Sequence, residues 1–223
     1  MLDLTDSKIK CKPVHSGPKF LYGQAYTVTS LQQRCDYMFI PIPKCASSWM
    51  KCIFKHSNRI NFLQSDIDNP THNVVVLRDP IDRYITGLAQ TIDDENNFGK
   101  VDIIEQLWTK PIFQSSHLEP QVSFLDGISI DPLHTTFFMC NSNLDKNFWR
   151  WALDKNITYI LNTKCSQVYD FDNSFNLTSK KSKIVQSFCR DLRRILRDNP
   201  ELQEQIKKIY EDDYRLLDSI TLQ

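Results

Sequence analysis

Glycine is scarce in this 223-residue chain: 5 glycines are too few for a collagen-like or glycine-rich low-complexity segment. A charge bias of one sign is missing too. Lys and Arg total 27, as do Asp and Glu, so the formal net charge is +0. That argues against a general nucleic-acid or membrane-surface binder and leaves only local basic patches. No run approaches the ~18 apolar residues that span a bilayer. The opening MLDLTDSKIKCKP has no apolar centre of the signal-peptide kind, so the expectation is a soluble, cytoplasmic chain without a transmembrane segment. Metal-type cysteine pairs are also lacking. The 7 cysteines, at 11, 35, 45, 52, 140, 165 and 189, form no CxxC, and an odd number cannot all pair internally. Buried free thiols are expected, rather than a zinc site or a disulfide scaffold. Two glycosylation sequons, Asn156-Ile-Thr and Asn176-Leu-Thr, are about as many as chance supplies and do not argue for secretion.

What is present is ordinary globular composition, 41% hydrophobic and 24% charged, without repeats, which predicts a single domain over residues 1–223. Residues 1–35 read as irregular apart from Phe20 to Val28. Tyr37-Met-Phe-Ile-Pro-Ile-Pro43 is a short apolar run ending in prolines and predicts a buried strand. Lys44 to His56 follows at once, with Trp49, Met50, Ile53 and Phe54 at helical spacing. The same order recurs: Asn73-Val-Val-Val-Leu-Arg78 reads as a strand covered on both faces, and Asp79-Pro80 as the cap and first-turn proline of a helix to about Gln90. Thr135 to Met139 and Thr158 to Leu161 are further strand candidates, on either side of a helix around Leu144 to Leu153. From Lys181 onward two helices are expected, broken at Asn199-Pro200. Strands alternating with helices predict an α/β fold with a mainly parallel sheet flanked by helices.

A strand running through a tight turn into a helix gathers unsatisfied amides where an anion can sit. In Pro43-Lys-Cys-Ala-Ser-Ser-Trp49 the turn also carries a mobile cation and two hydroxyl donors. It is not a Walker A loop, because GxxxxGK[ST] is absent. PKCASSW resembles the 5′-phosphosulfate loop of the sulfotransferases that use 3′-phosphoadenosine 5′-phosphosulfate (PAPS), whose cytosolic branch carries Pro-Lys-Ser-Gly-Thr-Thr-Trp. Arg78-Asp-Pro-Ile-Asp-Arg-Tyr-Ile-Thr86 is similar to their 3′-phosphate motif in the RDPxxRxxS form of the carbohydrate (Golgi-type) branch, with Thr for Ser. His117-Leu-Glu-Pro-Gln121 resembles that branch's H-[WF]-x-P-Q segment. Ile209-Tyr-Glu-Asp-Asp-Tyr-Arg-Leu-Leu217 resembles its closing helix, and Asn176-Leu-Thr-Ser-Lys-Lys181 its late nucleotide loop.

The resemblance implies a P-loop-like fold, PAPS as co-substrate, no metal, and transfer of a sulfuryl group to an acceptor hydroxyl or amine, on a glycan in preference to a protein tyrosine or small phenol. By the same resemblance Lys44, Cys45, Ala46, Ser47 and Ser48 form the 5′-phosphosulfate loop, Lys44 holding the sulfate end. Trp49 would stack on adenine, and Arg78 and Thr86 would face the 3′-phosphate. Ala46 stands where many members have Gly, and a positive φ there would cost Ala about 1 kcal/mol or more.

A general base must reach the acceptor proton. In heparan and tyrosine sulfotransferases the base, a Glu or His, precedes the 3′-phosphate motif, so the resemblance points to Asp66, Asp68 or His72, while the local HLEPQ motif points to His117. The basic set Lys180, Lys181, Lys183, Arg190, Arg193, Arg194 and Arg197 reads first as a solvated helix face, and second as a polyanion contact. Phe148, Trp149 and Trp151 read first as core, and second as a sugar platform. A nucleotide kinase or NTPase, and a non-catalytic nucleotide or polyanion module, are the competing functions.

Overall fold

The computed structural model describes residues 24–30, 35–54, 58–61, 71–94, 116–125, 131, 133–165, 169–171, 175–176, 182–220 and 222. A five-stranded mixed sheet of order β3-β1-β2-β4-β5 is made by β1 (Gln24–Ser30), β2 (Cys35–Ile40), β3 (Asn58–Asn61), β4 (Thr71–Leu77) and β5 (Thr135–Met139). Strands β2, β4 and β5 run parallel, with Phe39 beside Val74 and Val75 beside Phe137. The other two pairings, β1 with β2 and β1 with β3, are antiparallel. The parallel part of the sheet is thus three strands. Strand β1 falls mostly within Phe20 to Val28, the stretch excepted from the irregular reading of residues 1–35, and pairs antiparallel with β2. Two short strands, β6 (Tyr169–Asp170) and β7 (Phe175–Asn176), pair separately.

The central strand behaves as its composition dictates. Val74 to Leu77 are fully buried, as a β-branched run between two neighbours must be. Helix α1 (Ser47–Ile53) buries Trp49, Met50 and Ile53, and α3 (Leu144–Asp154) buries Leu144, Phe148, Trp151 and Ala152, both against the sheet core. A second core lies among α2 (Pro80–Asp94), α4 (Ser182–Asp198) and α5 (Pro200–Ile209), where Ile85, Leu88, Cys189, Leu192, Leu202 and Ile206 meet.

Three expectations are corrected. Thr158–Ile160 is a 3-10 turn, not a strand. Its buried neighbours Ile157 and Leu161 are four residues apart with exposed Tyr159 between them, a helical rather than an alternating pattern. The C-terminal region holds three helices, because the chain breaks again at Tyr210 before α6 (Glu211–Ser219). Tyr210 is buried and its hydroxyl donates to the Leu118 carbonyl, so a tertiary contact turns the chain where no Pro or Gly marks the place. The third concerns the thiols: Cys52 and Cys165 form a disulfide with Cα atoms 5.8 Å apart. It ties the end of α1 to the turn in which Asn162 caps that helix, donating its amide to Ile53 C=O (2.8 Å) and Nδ2 to Cys52 C=O (3.0 Å). Cys45, Cys140 and Cys189 are buried free thiols, as expected.

Among the described residues no helix is long and apolar enough to cross a membrane.

Candidate functional site

The turn after β2 curls through two left-handed residues, Lys44 (φ 65°) and Ala46 (φ 54°), on either side of Cys45. The Cys45 side chain points inward. Its thiol is buried and donates to Gln121 Oε1 at 3.2 Å, and burial pushes its pKa up to about 12, so only its backbone faces the loop. Lys44 is half-buried and its Nζ donates to Gln90 Oε1 on α2 (3.1 Å). Ser47 is half-exposed and Ser48 exposed, in the first turn of α1, whose amides have no carbonyl one turn back. Trp49 corrects the adenine-stacking expectation. It is 5% exposed and packed edge-on to Phe148 (5.6 Å) and Phe171 (5.1 Å), because the helical spacing that buries Met50 and Ile53 turns it into the same core.

Ala46 does adopt the left-handed conformation that glycine would take without strain. An alanine there costs about 1–2 kcal/mol, partly offset by glycine's freer unfolded chain. Ala46→Gly is therefore expected to stabilise the protein by about 0.5–1 kcal/mol, read as a rise of roughly 2 °C in the thermal midpoint. An unchanged or lowered midpoint would contradict the strain.

At the neighbouring strand end, Arg78 leaves β4 and its Nη1 donates to the Lys44 carbonyl (3.3 Å). Asp79 caps α2 as predicted, its Oδ1 accepting the Asp82 amide at 2.9 Å. Thr86 is fully buried, and its hydroxyl donates back to the carbonyls of Asp82 and Arg83 (both 3.1 Å), so its proton is committed to the helix. Arg83 is the buried clamp of this region. It donates Nε to Pro43 C=O (3.0 Å), Nη2 to Ser116 C=O (3.3 Å) and Nη1 to Glu119 C=O.

Arg83, Gly87 and Gln90 lie at i, i+4 and i+7 of α2 and form one stripe. Its contacts bring Lys44 and His117 to the same helix face. Lys44 reaches Gln90, and the His117 carbonyl lies so close to Gly87 that an added Cβ would stand 2.2 Å from it. His117 itself is half-buried. His72, by contrast, stands at the start of β4, six residues before Arg78, or roughly 20 Å along the strand. Of the two alternatives for the base, His72 and His117, His72 is therefore the one at the far end of the strand from Arg78. There it donates to or accepts from Thr136 Oγ1 at 2.7 Å beside Tyr37 and Trp151. Asp66 and Asp68 lie outside the described residues, as do Leu177 to Lys181.

Burial, aided by the Lys155 and His134 charges, lowers the His72 pKa from 6.5 to about 4. The folded state therefore binds fewer protons than the unfolded state between those values, and stability rises with pH across that window. It is complete above about pH 6.5 and is lost as pH falls towards 4. Partial exposure discounts the effect to roughly 1–2 kcal/mol at pH 5. His72→Gln should flatten this part of the stability curve, measured by denaturant unfolding at pH 5 and 7.5. An identical slope in the variant would refute the assignment.

Beneath the two strand ends lies Gln121, which the sequence marked only through the weak HLEPQ echo. Its side chain accepts the Arg78 amide and donates to the Arg78 carbonyl, both at 2.8 Å. Asp213, from the C-terminal echo, is fully buried. It accepts the amides of Gln121 and Val122 at 2.9 Å, and burial raises its pKa although Arg83 pulls it down.

Helix α4 packs alongside: its Cys189 thiol is raised to about 11 by burial while the charges of Arg193, Lys44 and Arg78 pull the other way. Arg193 pairs with Asp82 (3.1 Å), whereas Arg194 and Arg197 are exposed and pair with neighbouring acids on their own helix. An open cleft of about 470 Å³ lies beside the first turn of α2, lined by Asp79, Asp82, Arg193, Arg197, Lys207 and Tyr214 among others. Neither Lys44 nor Arg78 lines it. The aromatic trio divides, with Phe148 and Trp151 in the core, while half-exposed Trp149 donates Nε1 to Asp145 Oδ1 (3.1 Å).

No family model matches the chain, and no curated protein or solved structure matches it either.

Proposed function

We propose that the protein is a PAPS-dependent sulfotransferase of P-loop-like fold, acting on an acceptor hydroxyl or amine, with a glycan favoured. One observation carries the reading. Lys44 and Arg78, predicted from separate motifs, stand at the ends of adjacent parallel strands and are joined by the 3.3 Å bond from Arg78 to the Lys44 carbonyl. Ligands of open α/β sheets bind outside the carboxyl ends of such strands.

In this reading PAPS supplies an activated sulfuryl group, and the acceptor oxygen or nitrogen forms its bond to sulfur as the bond to the 5′-phosphate oxygen breaks. The Lys44 ammonium stabilises the bridging oxygen as it gains charge, with the first-turn amides and the Ser47 and Ser48 hydroxyls around the phosphate. His117, on the Lys44 side of α2, is the proposed base. Positioned cations and donors suffice for this chemistry, and the proposal includes no metal. The proposed partners are PAPS and the acceptor, not nucleic acid. The Cys52–Cys165 disulfide supports an oxidising compartment in preference to the cytoplasm.

Thermal unfolding with adenosine 3′,5′-bisphosphate, AMP and ATP tests the reading without an acceptor. A ligand of the native state at a hundredfold excess over its Kd adds about 2.7 kcal/mol. A midpoint rise specific to the bisphosphate, and lost in Arg78→Lys, is expected, since Lys cannot reproduce the guanidinium fork. No rise in well-folded protein, or an equal one with magnesium ATP, would overturn it in favour of a kinase or NTPase. Bisphosphate binding with no transfer from labelled PAPS to any glycan, phenol or amine acceptor would leave a non-catalytic module.

A further inference from the structure

Gln121 is 1% exposed, and its carboxamide bonds two loops far apart in sequence. Oε1 accepts both the Arg78 amide (2.8 Å) and the Cys45 thiol (3.2 Å), and Nε2 donates to the Arg78 carbonyl (2.8 Å) and to Asp213 Oδ2 (3.4 Å). The Arg78 peptide is thereby read on its N–H and C=O together, as a neighbouring strand would read it, which fixes where Arg78 leaves the sheet. The same oxygen fixes the loop that carries Lys44. Asp213 Oδ2 accepts from both the Gln121 backbone amide and its Nε2, and Arg83 closes the frame by holding Pro43, Ser116 and Glu119.

We infer that Gln121, oriented by Asp213, is a positioning residue that sets the spacing between the Lys44 loop and Arg78, and with it the discrimination between nucleotides carrying one and two phosphates. This rests on the nucleotide reading above. A ligand anchored at both ends feels that spacing, whereas a 5′-monophosphate feels only the first loop.

The test measures Kd for adenosine 3′,5′-bisphosphate and for AMP by calorimetry on the full chain. The variants are Gln121→Met, which keeps the bulk without the hydrogen bonds, and Gln121→Glu, which replaces the Nε2 donor with an oxygen that repels the Arg78 carbonyl and Asp213 Oδ2. Phe138→Leu serves as a core variant that is destabilised without touching the network. The ratio of the two affinities should fall roughly tenfold in both Gln121 variants and stay at the wild-type value in Phe138→Leu. Should neither Gln121 variant fold, Asp213→Asn is measured in the same way, with the same fall expected. A folded Gln121 or Asp213 variant that keeps the wild-type ratio, or an equal fall in Phe138→Leu, would overturn the inference. If wild type shows no bisphosphate preference at all, the nucleotide reading fails first and is recognised separately.

Discussion

Under the proposed function, Lys44→Ala is expected to lower sulfuryl transfer from PAPS by at least a hundredfold while leaving the bisphosphate affinity within a few-fold and the fold intact. The rate term is that of one preorganised donor aimed at developing charge, about 100–1000-fold. The stability term is small because the ammonium is half-buried and its described partner is the neutral Gln90 amide, and because alanine inherits the same φ of 65° without new strain. Single-turnover transfer of labelled sulfate to an acceptor found by screening, set beside calorimetric binding, separates the two effects. Lys44→Arg is the informative companion, since a guanidinium restores charge without the compact ammonium. A Lys44→Ala enzyme within threefold of wild type would remove the residue from the chemistry.

Arg83→Met should have the opposite signature, a failure of folding and not of chemistry. Methionine replaces the buried stem, but the carbonyls of Pro43, Ser116 and Glu119 lose their donor and buried Asp213 loses the nearby positive charge. Breaking a buried charged network by removing one partner costs about 3–5 kcal/mol. For a chain of this size that is roughly 10 °C or more in the thermal midpoint, and insolubility would be unsurprising. Arg83→Lys should recover part of the loss. A midpoint within 2 °C of wild type for Arg83→Met would mean that the carbonyls are satisfied in some other way and that the clamp is not one.

Local pattern was a good guide wherever the deciding interactions are themselves local. The valine run of β4, the Asp79-Pro80 start of α2 and the span of β5 all follow from periodicity, capping and β-branching, and the structure reproduces them within a few residues. The two anion-binding candidates were legible for the same reason: a turn between a strand and a helix is a short-range object. What those motifs could not say is which way each side chain faces once the helices dock. Trp49 and Thr86 both turned inward, because the stripe of α1 or α2 on which each sits is a packing stripe.

Residue types, strand-turn-helix order and the pair of motifs were determined by the sequence alone, since each depends on neighbours within about two turns of helix or one strand. Tertiary structure alone decided the rest. The Cys52–Cys165 bond spans 113 residues, the Gln121 bonds to Arg78 and Asp213 span 43 and 92, and the break at Tyr210 answers a carbonyl 92 residues away. No short window contains both members of such a pair. A buried glutamine, aspartate or arginine is stable only when its distant partner is in place, so the sequence shows the polar residue and only the packed fold shows why it is there.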